Sequence, residues 1–297
     1  MGPPAEPVVR NSERFRNKCQ GVKVSTHAYT AMRRRRLLAA LTATMGSIAG
    51  CVNLNLGERR ERSIERTVPV RDATAFSLLV TNGDVSVDGT ARDDVGLSGT
   101  KWVRGDESLL ERLRLQVDRE DGHLTIDGNE EDFSKPVGID VAATIPGDLP
   151  VREVVSVNGD VELSSVTGDD LVASSTNGEI VLESVDAAPE IATTNGDVRT
   201  RELADLRSIE TVNGDVDVEL VGLTDVATIE TTNGDVTARL GGIDARIQAR
   251  TGNGEVSVAG LDVAVDTSSD KRLDGTIGNG GPTLGIETTN GDVTLRE

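Results

Sequence analysis

The chain has very few aromatic side chains and almost no cysteine. Its 297 residues contain three Phe, one Tyr, one Trp and two Cys. This scarcity disfavours a carbohydrate groove that stacks sugar rings on aromatic faces. Cys19 lies in a stretch without an apolar period, ahead of Met32, which we expect to be the true start. Cys51 then has no disulfide partner, and no cysteine-based metal cluster is available.

Basic residues are also scarce outside the N-terminal segment. Residues 52–297 hold 22 Lys or Arg against 48 Asp or Glu, a net charge of −26. Such a surface repels phosphate backbones, so we exclude DNA and RNA as partners. The only lysines in this part are Lys101, Lys135 and Lys271. An acidic, lysine-poor, glycine-rich composition is typical of proteins from salt-loving archaea, and we expect a haloarchaeal origin.

Side chains that carry catalysis are nearly missing. Residues 52–297 contain one histidine, His123, which we expect in a solvated hairpin turn. Without a second His or a Cys, the sequence offers no nucleophile–base pair and no zinc site. No glycine-rich loop precedes a helix in the pattern that cradles phosphates. The sequence predicts no catalytic residue, no metal site and no cofactor, and Trp102 is interpreted as a core residue.

The N-terminal segment resembles an export signal. Four arginines and two leucines at 33–38 fit a twin-arginine pattern. The apolar run 37–49 is too short for an ordinary transmembrane helix, which needs about 20 residues. It ends in Ile-Ala-Gly before Cys51, which resembles a lipobox. This predicts a chain cut before Cys51 and lipidated there; the alternative is a short buried helix with a chance cysteine.

One short motif, Asn-Gly followed by an acid and then Val or Ile, occurs eight times. Its asparagines are Asn82, Asn158, Asn177, Asn195, Asn213, Asn233, Asn253 and Asn290. From Asn158 to Asn253 the steps are 19, 18, 18, 20 and 20 residues. A fixed period of this size is typical of stacked repeats that bury their apolar faces against one another. Glycine suits a positive φ at the corner, and Asn can adopt the left-handed conformation or stack its amide on the next coil.

Two all-β architectures satisfy these repeats. Apolar positions alternate with period two before and after each corner, which predicts strand, corner and strand. An antiparallel meander or barrel gives the same parity as a β-solenoid. Identity between the units favours the solenoid, a parallel β-helix-like stack of 18–20 residues per coil, because parallel stacking sets like residues on like.

The chain divides into four predicted parts. We expect an N-terminal extension and signal over 1–51, a charged solvated tether over 52–66, a β-rich part over 67–150 and solenoid repeats over 151–297. The β-rich part contains one predicted helix, 107–113, with Asp106 as its N-cap. The stretch 261–282 breaks the register and is interpreted as a looped-out coil.

The acid that follows each Asn-Gly predicts a column of like charges. Carboxylates about 4.8 Å apart repel by roughly 1 kcal/mol in water. We hypothesise that high salt or loosely bound cations offset this repulsion. A specific calcium site is disfavoured, because no loop supplies six or more oxygen ligands.

Several segments resemble the putative adhesin family of bacterial and archaeal envelope proteins. They are 76–87, 107–117, 122–126 and 141–150, the last leading into the corner at Asn158. The resemblance covers about 67–297. It implies a β-solenoid surface protein without an established activity, and it supplies no catalytic residues to carry over.

These observations predict a lipid-anchored, non-enzymatic structural or adhesive module on the extracytoplasmic face of the cell membrane. Its partners would be the membrane, through the lipid anchor, and an envelope polysaccharide or a surface protein. One alternative is a polysaccharide lyase or hydrolase on a β-helix, with Arg199, Arg239, Arg246 and Arg250 pairing with acids on one face. A further alternative is an accessory protein of an envelope-stress response.

Overall fold

The computed structural model describes residues 58–128 and 136–297, so Cys51 and the predicted export signal lie outside the described residues. The described chain is all-β with one short helix, α1 (Leu109–Arg112). The strands before the repeats are β1 (Arg59–Pro69), β2 (Ala75–Asn82), β3 (Val85–Thr90), β4 (Asp94–Arg104), β5 (Leu115–Glu120), β6 (His123–Gly128) and β7 (Val137–Pro146).

Strands of the repeats are short and follow in close succession. They are β8 (Val151–Asn158), β9 (Val161–Ser164), β10 (Thr167–Gly168), β11 (Val172–Asn177), β12 (Ile180–Glu183), β13 (Asp186–Ala187), β14 (Glu190–Ala192), β15 (Val198–Arg201), β16 (Ser208–Asn213), β17 (Val216–Glu219), β18 (Ala227–Asn233) and β19 (Val236–Arg239). The last six are β20 (Ala245–Asn253), β21 (Val256–Ala259), β22 (Val263–Ser269), β23 (Arg272–Ile277), β24 (Thr283–Asn290) and β25 (Val293–Arg296).

Two large open sheets are built from these strands. The first sheet has the order β1-β4-β7-β3-β9-β12-β15-β17-β19-β25-β21, and the second has the order β22-β23-β20-β24-β18-β16-β14-β11-β8-β2-β6-β5. Each coil contributes the strand before its Asn-Gly corner to the second sheet and the strand after it to the first. A small parallel pair, β10 with β13, lies on the return side.

Successive coils pair in parallel and in register. Ile209 on β16 pairs with Ile229 on β18, which pairs with Ile286 on β24. Parallel pairing of like positions confirms the stacked repeats and is incompatible with the antiparallel meander. The fold is therefore β-solenoid-like, with sheets that do not close.

Burial follows the columns expected from the sequence. The residue three after each corner Asn is buried in every coil except the terminal one at Asn253; Val198, Val216 and Val236 are examples. The position two before the Asn is also buried, although it is polar. It is occupied by Ser156, Ser175, Thr193, Thr211, Thr231, Thr251 and Thr288 in the repeats after β7.

Stacking order differs from chain order at the C-terminal end. The final coil, formed by β24 and β25, lies between the coils that turn at Asn233 and Asn253. β24 pairs in parallel with both β18 and β20, and β25 pairs with both β19 and β21. The segment that we interpreted as a looped-out coil is instead β22 and β23, and β23 pairs antiparallel with β20. The interpretation was wrong because β20 leaves an edge that antiparallel strands can cover.

The predicted tether over 52–66 is wrong for its described part beyond Glu58. Residues from Arg59 onward form β1, which pairs antiparallel with β4 along its whole length. Strand pairing uses backbone groups, so charged side chains do not prevent it. Exposed charges are in fact the usual protection of an edge strand against pairing with other chains.

Three smaller expectations also need correction. The helix is one turn, Leu109–Arg112, and its N-cap is Ser108; the Asp106 carboxylate accepts a hydrogen bond from the Ser108 N–H at 3.0 Å. Trp102 is only half-buried, and the Arg59 guanidinium lies 4.8 Å from its ring centroid. A ring on the outer face fits there because the neighbouring strand carries Gly138 beneath it.

The corners require glycine mainly because the backbones of neighbouring coils approach each other closely, and less because of the φ angle. Only Gly83, Gly254 and Gly291 among them have a φ in the left-handed region, at +136°, +157° and +152°. At Gly159, Gly178, Gly196, Gly214 and Gly234 a Cβ would overlap the carbonyl oxygen of the preceding corner glycine. Backbone contact between coils therefore excludes any side chain.

We predict that Gly214→Ala lowers the free energy of unfolding by about 1–3 kcal/mol, the cost of inserting a methyl group into packed backbone. Gly285→Ala is the matched control, because a Cβ there lies 3.8 Å from its nearest atoms, Ala227 O and Thr228 Cγ2. We expect the control within about 0.5 kcal/mol of the wild type. Denaturant unfolding checks both, and equal midpoints would show that the corner tolerates a side chain.

Candidate functional site

The most regular surface of the molecule is the column of corners, here called the corner ladder. It consists of the eight Asn-Gly-acid corners, which in stacking order turn at Asn82, Asn158, Asn177, Asn195, Asn213, Asn233, Asn290 and Asn253. The corner side chains are mostly exposed, and each coil presents the same three groups.

The corner asparagines form one continuous chain of amide hydrogen bonds. Each Nδ2 donates to the Oδ1 of the preceding Asn at 2.8–2.9 Å, from Asn158 on Asn82 to Asn253 on Asn290. An amide suits this column because it carries a donor and an acceptor on one side chain. Of the two roles considered for Asn, the structure shows the stacked amide.

Backbone groups at the corners are satisfied by neighbouring coils. The buried Ser or Thr hydroxyl donates to the carbonyl of the preceding corner glycine, for example Thr211 to Gly196 at 3.3 Å and Thr288 to Gly234 at 3.0 Å. The N–H of every corner glycine except Gly254, at the terminal corner, donates to the Asn carbonyl of the next corner in the stack. The polar column inside the core therefore has a partner at every level.

Asp and Glu side chains make different contacts at the corners. An Asp carboxylate accepts the backbone N–H of the next acid at 2.8–3.0 Å, as Asp215 does from Asp235 and Asp235 does from Asp292. Glu occurs at two corners only. Glu255 is the last corner of the stack, and Glu179 pairs with Arg199, which also contacts Asp197 at 3.0 Å. Sequence reasoning treated the two acids as equivalent and missed this signal.

These hydrogen bonds supply part of the offset that the like-charged column requires. An N–H aimed at each Asp carboxylate favours its charged form. Burial, with a smaller contribution from the Asp84 charge, raises the pKa of Asp160. Repulsion by Asp84 therefore adds to the cost of burying the charge of Asp160.

The arginines proposed for glycan chemistry do not converge. Arg199 and Arg239 lie on the first sheet, and Arg239 is paired with Asp217. Arg246 and Arg250 lie on β20 in the second sheet. A shallow cleft of ≈ 290 Å³ beside the ladder is lined by Asp197, Arg199, Asp215, Val216, Asp217, Asp235 and Thr237. Arg199 is paired with Asp197, Asp217 is paired with Arg239, and Asp215 and Asp235 accept backbone N–H groups. This arrangement suits a solvated surface better than acid–base chemistry.

A second acidic column crosses the outer face of the second sheet. Glu210, Glu230 and Glu287 stack in register, and Arg250 follows them at the end. Burial, followed by the charges of Glu210 and Glu287, raises the pKa of Glu230. The column adds a strongly negative strip on the face away from the core.

His123 does not lie in a solvated turn. The turn is formed by Asp121 and Gly122, both with positive φ, and His123 begins β6. Its Nε2 lies 2.8 Å from the Ser77 Oγ, and burial, then the nearby Arg152 charge, lowers its pKa. A serine–histidine pair therefore exists, against the expectation. Ser77 is only 1% exposed, so its hydroxyl is closed to a bulky substrate.

Within the described ranges, no group of three or more His, Cys, Asp or Glu is arranged to hold a metal ion. Among the same residues, no helix has the length and apolarity to cross a membrane.

Comparison with known proteins gives one family match. A family model described as Toastrack DUF4097 matches residues 41–296. No curated protein matches the chain.

Solved structures are similar at low identity. A putative cell adhesion protein from Clostridium sporogenes is 14% identical, with a TM-score of 0.39 over 80% of this chain and 99% of that one. A putative adhesin from Bacteroides fragilis is 14% identical, with a TM-score of 0.40 over 79% of this chain and 96% of that one. A putative lipid binding protein from Parabacteroides distasonis is 14% identical, with a TM-score of 0.36 over 80% of this chain and 97% of that one.

We predict that Asp160→Asn raises the melting temperature at neutral pH in dilute buffer by a few degrees at most. The amide oxygen still accepts the Glu179 N–H, which lies 2.8 Å from the Asp160 carboxylate, while the charge near Asp84 is removed. Because the folded-state pKa of Asp160 is raised, its protonation stabilises the fold at low pH, and that contribution is lost as pH rises through the folded pKa. The advantage of the variant should therefore vanish in acid.

Molar salt should reduce the same advantage, since it screens the Asp84 contribution. Asp160→Ala is the control, because it removes both the charge and the acceptor. Thermal melts at two pH values and two salt concentrations check the prediction. An equal gain for Asn and Ala would rule out the hydrogen bond as the relevant contact.

Proposed function

The chain belongs to the Toastrack DUF4097 family, and we propose that it acts as a lipid-anchored, non-enzymatic structural or adhesive module of the cell envelope. Its partners are the membrane, through Cys51, and an extended envelope polymer or a surface protein. No nucleic acid binds to it.

The observation that carries this proposal is the repetition of identical groups along the corner ladder. Catalysis needs unlike groups that converge on one reacting atom, such as an acid and a base across a cleft. The ladder instead presents the same amide and carboxylate at every coil. Repeated weak contacts of this kind favour binding to a long polymer or surface through multivalency.

The position of the charged pairs supports a binding role over glycan cleavage. Arg199 and Arg239 are held by acids of neighbouring coils, and the remaining two candidate arginines lie on the other sheet. A change at one carboxylate should therefore remove one contact among many. An enzyme would lose its activity with that single change.

The anchor follows from the N-terminal sequence and from charge. The arginines at 33–36, the short apolar run and the small residues before Cys51 support export and lipidation. A net charge of −26 over residues 52–297 repels anionic headgroups, so the protein needs a covalent lipid to stay at a membrane. The acidic, lysine-poor composition supports a high-salt environment.

We predict that Cys51→Ser moves the protein from the membrane fraction into the soluble fraction, because the thioether link to lipid is lost. Val52→Ser is the control and should leave the protein at the membrane, since it keeps the Cys51 thiol that carries the lipid. Detergent phase partitioning and cell fractionation measure both. Membrane retention of Cys51→Ser would contradict the lipid anchor.

The adhesive role predicts that a soluble protein of residues 55–297 co-sediments with cell envelopes in molar salt without releasing sugar. This range is a compact unit. Changing one corner acid, as in Asp215→Asn, should weaken binding only slightly, whereas changing the acids of four adjacent corners should abolish it. Release of reducing sugar would replace the proposal with glycan cleavage. Absence of both binding and release would indicate a protein partner in the membrane.

A further inference from the structure

One corner of the ladder differs from the other seven in the hydrogen bond of its glycine. At those seven corners the glycine N–H donates to the Asn carbonyl of the next corner in the stack, at 3.0–3.1 Å. At the terminal corner, no group among the described residues accepts the N–H of Gly254. The backbone nitrogen of Gly254 is therefore not held by a neighbouring coil.

The side-chain amide of Asn253 is held at one end only. Its Nδ2 donates to Asn290 Oδ1 at 2.9 Å, with a longer contact of 3.5 Å to Thr289 O. At every other corner the Asn Oδ1 accepts the Nδ2 of the next corner. Within the described ranges no donor reaches Asn253 Oδ1, and the residue is exposed. Asn253 can therefore turn toward Gly254 with fewer contacts to break than any other corner asparagine.

An Asn followed by Gly carries its own nucleophile, because glycine has no Cβ to hinder the approach of its nitrogen to the Asn side chain. The glycine nitrogen loses its proton to solvent base and bonds to the Asn Cγ. The Cγ–Nδ2 bond breaks, and ammonia leaves with a proton. Water then opens the cyclic imide. Breaking the bond from the ring nitrogen to Cγ gives aspartate, and breaking the bond to the main-chain carbonyl carbon gives isoaspartate.

The ladder hydrogen bonds oppose this reaction at the internal corners. The glycine nitrogen has to leave its acceptor, and the Asn side chain has to leave both neighbouring amides. For Asn213 these contacts are Gly214 N–H to Asn233 O at 3.1 Å, and amide bonds of 2.9 Å to Asn195 and from Asn233. The corner at Asn253 makes only one of these three contacts.

We propose that Asn253-Gly254 is a self-modification site, which its own backbone converts to aspartate and isoaspartate with water as the only co-reactant. The conversion replaces the Nδ2 donor with a carboxylate oxygen, so the hydrogen bond to Asn290 Oδ1 is lost. In isoaspartate the main chain also runs through Cγ, which displaces the carbonyl that accepts the Gly291 N–H. The corner at Asn290 then has the contacts that Asn253 had before, and it reacts next.

The product adds charge to a surface that is already negative. Glu255 lies two residues further on, and its N–H donates to Asp292 Oδ1 at 2.8 Å. A third carboxylate beside these two weakens the stacking of the terminal coil. This inference goes beyond the proposed binding role, because the ladder is altered from one end with time, whatever it binds.

Incubation of the purified full chain in mildly alkaline buffer with molar salt, followed by proteolysis and mass spectrometry, measures conversion at each corner. We expect Asn253 to react at least about tenfold faster than Asn213 or Asn233, since each hydrogen bond that must break slows the reaction by up to roughly that factor. In denaturant all eight corners should react at similar rates, because each Asn is followed by glycine and then an acid.

Two variants test the order of reaction. Asn253→Gln keeps an amide but forms the larger, less favourable imide, so position 253 should not convert and Asn290 should stay slow. Asn253→Asp removes the donor to Asn290 and should speed conversion there by roughly threefold or more relative to Asn253→Gln, since one ladder hydrogen bond is lost. Equal rates at Asn253 and Asn213 in the folded wild type, or equal rates at Asn290 in the two variants, would overturn the proposal.

Discussion

Close approach between successive corners is the constraint on which the rest of the structure depends. A corner glycine contacts the carbonyl of the preceding corner glycine, so no side chain fits there. That contact brings every group of one coil against the same group of the next. Asn is suited to this because its amide bonds to another amide, and Ser or Thr because its hydroxyl reaches the glycine carbonyl. The repeated Asn-Gly-acid motif thus follows from the short distance between the backbones of successive corners.

The same constraint forces like charges together and also limits their cost. An Asp carboxylate is short enough to accept the N–H of the next acid, which compensates for the approach of the next carboxylate. Glu occurs at the two corners where the acid does not accept such an N–H. Glu179 pairs with Arg199 instead, and Glu255 is the terminal corner. The acidic surface of the protein is therefore built into its backbone hydrogen bonding, and is not only a solubility feature.

Much of the fold could be predicted from the sequence because a period of 18–20 residues and alternating apolar columns define a stacked coil. The strands around Phe76, Leu124 and Ile139 were recognisable for the same reason. The β1 strand could not be predicted, since its pairing depends on the backbone and its side chains are those of a tether. The stacking order was also hidden: corners at Asn233, Asn253 and Asn290 present the same groups, so any order satisfies the pattern. The Ser77–His123 contact joins residues 46 positions apart and needed the structure.

The insertion of the final coil between two earlier ones has a consequence for how the chain folds during synthesis. β24 pairs in parallel with both β18 and β20, and in both pairs the corner asparagines are opposite each other. The register of β24 on β18 is therefore also compatible with β20, with Asn253 in the place of Asn290. Until the last residues emerge, the coil at Asn253 has a competing, equally regular pairing on the growing stack. The native order requires that β20 does not pair with β18, or that this pairing is broken again. Insertion of the C-terminal coil, β24 and β25, between the coils at Asn233 and Asn253 therefore completes the stack.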